Sequence, residues 1–224
     1  MAKILLEKTD YYTNKAPRLP ICICIDNSSS VLSSKFPDIN EFIKNVIEYI
    51  DSNVECKTKV QLCIVAFNSE AEVISDFAAV DGTLYSVCYT ANAPDLEKGI
   101  KKCIQLLNDR LRVYVEESIS YYLPELLILS SGESSTDIER IAQRLRIAQS
   151  AKKLAVTPFK IAKNDTDTLN KLTTDGIVYT ELNDFTKIFE CLKSGLELLS
   201  ASSAAACKTL KSQAVGWEQL VEKR

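Results

Sequence analysis

The sequence predicts an α/β domain: a doubly wound, mostly parallel sheet with helices on both faces and one antiparallel edge strand. Three observations predict it. Short apolar runs rich in branched residues recur along the chain, as strands buried on both faces require. Between them lie longer segments whose apolar residues fall three and four apart, the spacing of amphipathic helices. One pair of runs, Val60–Phe67 and residues 71–77, is separated only by Asn68-Ser69-Glu70. That is too short for a crossover, so these two strands should form a hairpin at the sheet edge.

The elements follow in order. Residues 19–24 (LPICIC) read as a central strand, ended by Asp26-Asn27-Ser28. Pro37 and Asp38 then open a helix over 38–51, in which Ile39, Phe42, Ile43, Val46, Ile47 and Ile50 make one apolar stripe. After the hairpin, Leu96, Ile100, Cys103, Ile104 and Leu107 mark a helix with Asp95 near its start. Residues 126–129 form a short buried strand that closes on Ser130-Ser131-Gly132. Ile138, Ile141, Ala142, Leu145 and Ala148 give another helix, followed by a strand over 153–161. A short helix at 166–172, a strand at 177–180 and a helix at 184–199 complete the set. The domain should span 17–200, with an N-terminal extension at 1–16 and a tail at 201–224. The tail is rich in small residues and holds the only tryptophan, Trp217; it either packs across the domain or helps to grip a partner.

Composition narrows the function. The net charge is −3, and Lys and Arg are scattered, so there is no basic face for nucleic acid. No apolar run is long enough for a membrane span or a signal peptide, which places the expected home in the cytosol. There is no histidine, so His-based nucleophilic triads and the commonest general base are excluded. The eight cysteines include no Cys-x-x-Cys pair. Cys22, Cys24 and Cys63 sit in strands, while Cys103 and Cys191 sit on helix stripes, so they read as small buried hydrophobes. Only six glycines occur, and no phosphate-binding glycine loop is among them.

In a parallel sheet, ligands gather at the carboxyl ends of the strands. Asp26, Ser28 and Ser30 stand there as Asp-x-Ser-x-Ser. One carboxylate and two hydroxyls at alternate positions can turn three oxygens toward a hard cation such as Mg²⁺. The bland alternative is a solvated turn with local side-chain caps.

The order of these motifs resembles the von Willebrand factor A family, across about residues 17–200. The resemblance rests on 19–30 (LPICICIDNSSS), 60–69 (VQLCIVAFNS), 126–132 (LLILSSG) with Glu133 and Thr136-Asp137 after it, and 161–172 (IAKNDTDTLNKL). It implies a Rossmann-like domain with a metal-ion-dependent adhesion site built from an Asp, two Ser, a Thr and a second Asp. Asp26, Ser28 and Ser30 match. Pro94 stands where the threonine is expected, and Ser131 replaces the second aspartate. A site of Asp26, Ser28, Ser30 and Ser131 should therefore bind Mg²⁺ weakly or not at all, unless Asp95 or Glu133 compensates. Arg18-Leu19-Pro20 before the first strand also resembles small bacterial proteins associated with tellurium resistance.

The resemblance implies a non-enzymatic protein-interaction module of a bacterial stress-response or defence system. Asn27, Asn92, Pro94, Asp95 and Glu133 would form its partner-binding rim, and a bound metal would call for a partner's acidic residue. Asp26 is expected to face solvent, so that its loss would disturb binding more than folding. The competing readings are a regulatory subunit that completes a partner's active site, a hydrolase, and a structural subunit of a larger assembly. Hydrolysis by Asp26 with Glu133 has no specified geometry. Tyr114, Glu116, Glu117, Tyr121 and Tyr122 form either a partner surface or an exposed helix end with its aromatic bodies packed inward.

Overall fold

The structure, a computed structural model, describes residues 13–162, 167–174 and 185–201. Five strands form one sheet: β1 Leu19–Asp26, β2 Val60–Phe67, β3 Ala71–Ala79, β4 Glu125–Ser130 and β5 Ala155–Lys160. Their order is β3-β2-β1-β4-β5. All neighbours are parallel except β2 and β3, which form the expected hairpin. The 177–180 strand expected from the sequence lies outside the described residues, as do most of the N-terminal extension and the tail with Trp217.

Alternation along β1 sorts the core into two layers. Ile21, Ile23 and Ile25 face helices α1 (Phe36–Ser52), α2 (Val54–Lys59) and α6 (Phe185–Ala201). Cys22 and Cys24 face α3 (Leu96–Glu116), α4 (Glu139–Ser150) and α5 (Asp167–Asn170). All six apolar residues of the α1 stripe are buried, each such side chain contributing about 1.5–3 kcal/mol. The stripe of α3 is buried too, except that Ile104 is only partly covered. Gly99 lets α3 lie close to β2: a Cβ there would stand 2.6–2.9 Å from side-chain atoms of Phe67.

Burial pushes the thiols of Cys22, Cys24 and Cys103 well above the usual cysteine range. They are held as protonated, unreactive hydrophobes, in line with the sequence reading; the side chain of Cys191 lies outside the described residues. Helix α2 was not anticipated. It is under two turns long, so it carries too little periodicity to register. Its signal is Asn53, whose side chain accepts from Cys56 N as an N-cap, while Cys56 packs beneath α6. The helix end near Glu116 resolves as aromatics inward: Tyr114 and Tyr122 are buried, and Tyr114 Oη donates to Gln61.

The chain leaves β1 toward β2 on one side and later crosses to β4 on the other. The strand order therefore reverses between β1 and β4, and the crevice at that switch opens at their carboxyl ends.

Candidate functional site

The crevice is filled by one carboxylate and four serine hydroxyls. Asp26 closes β1 in register with Phe67 of β2, so it is a strand residue rather than a loop residue. Its Oδ1 accepts from Ser28 N at 3.1 Å and Ser28 Oγ at 2.6 Å. Its Oδ2 accepts from Ser30 Oγ at 3.2 Å, Ser130 Oγ at 3.2 Å, Ser131 N at 3.2 Å and Ser131 Oγ at 2.9 Å. The hydroxyls also meet each other, Ser28 with Ser30 at 2.7 Å and Ser131 with Ser30 at 2.8 Å. Asp26 is 0% exposed. The expectation that it faces solvent is corrected: it is the buried post on which the β1 and β4 loops hang.

Gly132 follows with φ of 88°, a left-handed turn suited to glycine. The turn aims Gly132 N at Ser130 Oγ and Glu133 N at Ser131 Oγ. Glu133 thus joins the network through its backbone, while its side chain is exposed.

Asn27 also departs from its expected place on the rim, being 5% exposed. Its side chain donates to Cys88 O and accepts from Asn68 Nδ2, and its carbonyl accepts from Thr90 N and Oγ1. It clasps three segments: its own loop, the β2–β3 turn and the long connection over 80–95. The sequence reading missed Asn68 and Asn40, which do the same work. Asn40 pairs with both backbone groups of Val87, and Asn68 Oδ1 accepts from Asn92 Nδ2. Asparagine side chains that imitate a peptide unit are the signal, and only tertiary contact reveals their targets.

Asn92 and Pro94 do lie at the rim, exposed and half-buried respectively. Asp95 does not stand in for the missing threonine. It caps α3 by accepting from Lys98 N at 2.9 Å, and the same oxygen accepts from Thr136 Oγ1 at 2.9 Å. It is committed to stitching the α3 start onto the loop after β4.

The size of the donor set suits a small hard cation, since its oxygens stand about as far apart as neighbouring ligands around Mg²⁺. Its charge does not. A single carboxylate faces the hydroxyls, and it is already satisfied by their protons and two backbone amides. Among the described residues no group of three Cys, Asp or Glu side chains is placed to hold a metal. The set does not fit a resident Mg²⁺.

A doubly wound sheet with an Asp-x-Ser-x-Ser strand end at its switch point defines an interaction-domain class rather than a nucleotide-binding one. The von Willebrand factor type A domain profile matches residues 21–193, and the chain belongs to that family, whose members mediate protein–protein interactions. No curated protein matches it in sequence. Similar solved structures include proximal thread matrix protein 1 from the mussel byssus with a zinc-occupied adhesion-site motif. It is 15% identical, with a TM-score of 0.55 over 81% of this chain and 48% of that one. The ArnB paralog VWA2 from Sulfolobus acidocaldarius is 16% identical, with a TM-score of 0.55 over 80% and 45%. Manganese-loaded TRAP protein from Plasmodium vivax is 12% identical, with a TM-score of 0.52 over 69% and 61%. At these identities the likeness concerns the fold. The chain spans about half the length of the first of these structures.

Proposed function

We propose that this chain is a non-enzymatic interaction module that meets a partner protein through its strand-end face, with its loops locked by the Asp26 network instead of a cation. One observation carries the reading. Beside the locked loops, Leu32 is 69% and Tyr89 41% exposed, two of the few large apolar side chains left in water among the described residues. Tyr89 is braced edge-on against Phe36, with ring centroids 5.8 Å apart. A braced aromatic on a polar rim, with a second exposed apolar side chain on the same set of loops, is the anatomy of a protein-binding patch. The family's role as an interaction module supports the reading.

The finer setting, a cytosolic bacterial stress-response or defence system of the tellurium-resistance type, rests on the resemblance of Arg18-Leu19-Pro20. In the fold this segment is a staple, since buried Arg18 donates to the carbonyls of Asn14 and Ala16. The alternative, an accessory subunit that completes a partner enzyme's site, would use the same face.

The test compares capture by wild type and by the Leu32→Glu, Tyr89→Glu double variant. A partner held by wild type and lost by the variant, at an unchanged thermal midpoint, supports the reading. Equal capture by both refutes it.

A further inference from the structure

Helix α3 carries a second stripe on the flank next to its buried one. The buried stripe runs through Ile100, Cys103, Leu107 and Tyr114. Beside it, Lys101, Ile104, Asn108, Leu111 and Val115 follow one another at steps of three and four, the spacing of a helix-packing seam. Ile104 and Leu111 are half-buried, and Val115 is 68% exposed. Two clefts, of about 390 Å³ and about 540 Å³, follow this seam and share Asn108 and Arg112. Helix α4 walls the first cleft with Ile141 and Arg144. Ile147, three residues after Arg144 and so on the same flank of α4, is 61% exposed.

The chain beyond α6 contains a segment of matching pattern. Cys207, Leu210, Ala214, Trp217 and Val221 recur at steps of three and four. As helices, 210–221 and 104–115 have the same length. The geometry of the chain lets them meet. Helix α6 ends at the amino end of the sheet, where Leu196 lies against Cys56 of α2, the helix that leads directly into β2. Helix α3 ends at the same end on the opposite face, with Tyr114 bonded to Gln61 at the start of β2. The chain from Ala201 to Leu210 reaches up to about 30 Å, enough to pass beneath the sheet from one helix layer to the other. A segment entering from there runs antiparallel to α3. Lys208 and Lys211 then come near the level of Glu116, and Glu222 near the level of Lys101, so opposite charges meet at both ends.

We propose that residues 207–221 fold back as a helix onto the seam between α3 and α4. Pairing Leu210 with Val115 sets Trp217 at the level of Asn108, where the two clefts join. The tail thereby covers Val115 and Ile147, which the domain alone leaves in water. This face lies on the α3 and α4 side of the sheet, apart from the rim that bears Leu32 and Tyr89.

Trp217 is the only tryptophan, so its fluorescence in the full chain reports the seat. The expected emission lies to the blue of the urea-unfolded chain, with acrylamide quenching severalfold weaker. The Val115→Glu, Ile147→Glu double variant should return both readings to their unfolded values, while the amide signals of β1 and β4 keep their positions. Leu210→Glu should do the same with the domain itself unaltered. Leu84→Glu, at an exposed site on another loop, should leave Trp217 as in wild type. A wild-type Trp217 quenched as readily as in urea overturns the proposal. So does a protected Trp217 that the seam variants fail to release, or that the Leu84→Glu control releases equally. Protection lost on dilution also overturns it, because the occupant is then a second copy's tail. None of these outcomes bears on the Leu32 and Tyr89 comparison, which decides the interaction reading separately.

Discussion

Removing the Asp26 carboxylate should unfold the strand-end face rather than merely blunt it. In Asp26→Ala, the N–H groups of Ser28 and Ser131, both fully buried residues, lose their acceptor. The four hydroxyls can turn toward one another, but the two amides cannot move. Each stranded buried donor costs about 1–3 kcal/mol, so the two together cost about 2–6 kcal/mol. Against a total stability of about 5–15 kcal/mol, that is a large fraction. Asp26→Asn separates shape from charge. Its amide oxygen can still serve Ser28, but its NH₂ then faces Ser131 N–H, donor against donor, at a cost of about 1–3 kcal/mol. Urea unfolding followed by circular dichroism would read both, with Ser29→Ala as the exposed control. Alanine should be the most destabilised, asparagine intermediate and the control unchanged. An Asp26→Ala midpoint equivalent to less than about 0.5 kcal/mol from wild type would refute the argument that this carboxylate holds the loops.

Other outcomes follow from the same geometry. Glu125 is fully buried on the face shared with Leu127 and has no hydrogen-bond partner among the described residues, and burial raises its carboxyl well above the usual range. The folded state therefore keeps a proton that the unfolded chain releases above about pH 4.5. Stability should fall as pH rises from there through the raised folded value, by up to about 1.4 kcal/mol per unit. Glu125→Gln should flatten that slope in urea titrations between pH 5 and 8; an unaltered slope would assign it elsewhere. Gly99→Ala should cost about 1–3 kcal/mol, because its Cβ would press into Phe67; an unshifted melting curve would show that α3 can retreat freely. The Pro94→Thr, Ser131→Asp double variant places a second carboxylate where Ser131 Oγ now lies 2.9 Å from Asp26 Oδ2. It should be less stable in chelator and regain about 2.7 kcal/mol at Mg²⁺ a hundredfold above its dissociation constant. Stability indifferent to Mg²⁺ would mean that the lost ligands are not those two.

The sequence by itself determined the layers. The runs at 19–24 and 126–129 are apolar at every step, and 60–67 at every step but Gln61, so they had to be strands covered on both sides. The three-and-four spacing from Ile39 to Ile50 and from Leu96 to Leu107 had to be helices doing the covering. The chemistry of the switch-point crevice was legible too, because Asp-x-Ser-x-Ser after a buried strand puts oxygens where the sheet order reverses. What only the tertiary structure decided is which way those groups face. A residue at a strand end can point to solvent or back between two strands, and local spacing does not distinguish the two. Asp26 turns inward because Ser130 and Ser131, more than a hundred residues later, supply donors that no neighbour in sequence could. Asn27 and Asp95 are likewise spent on holding segments together, since a buried polar side chain must find partners wherever the fold brings them. The exposed part of the face passes instead to Ser30, Leu32 and Tyr89, whose exposure is a property of the assembled loops and of no single stretch of sequence.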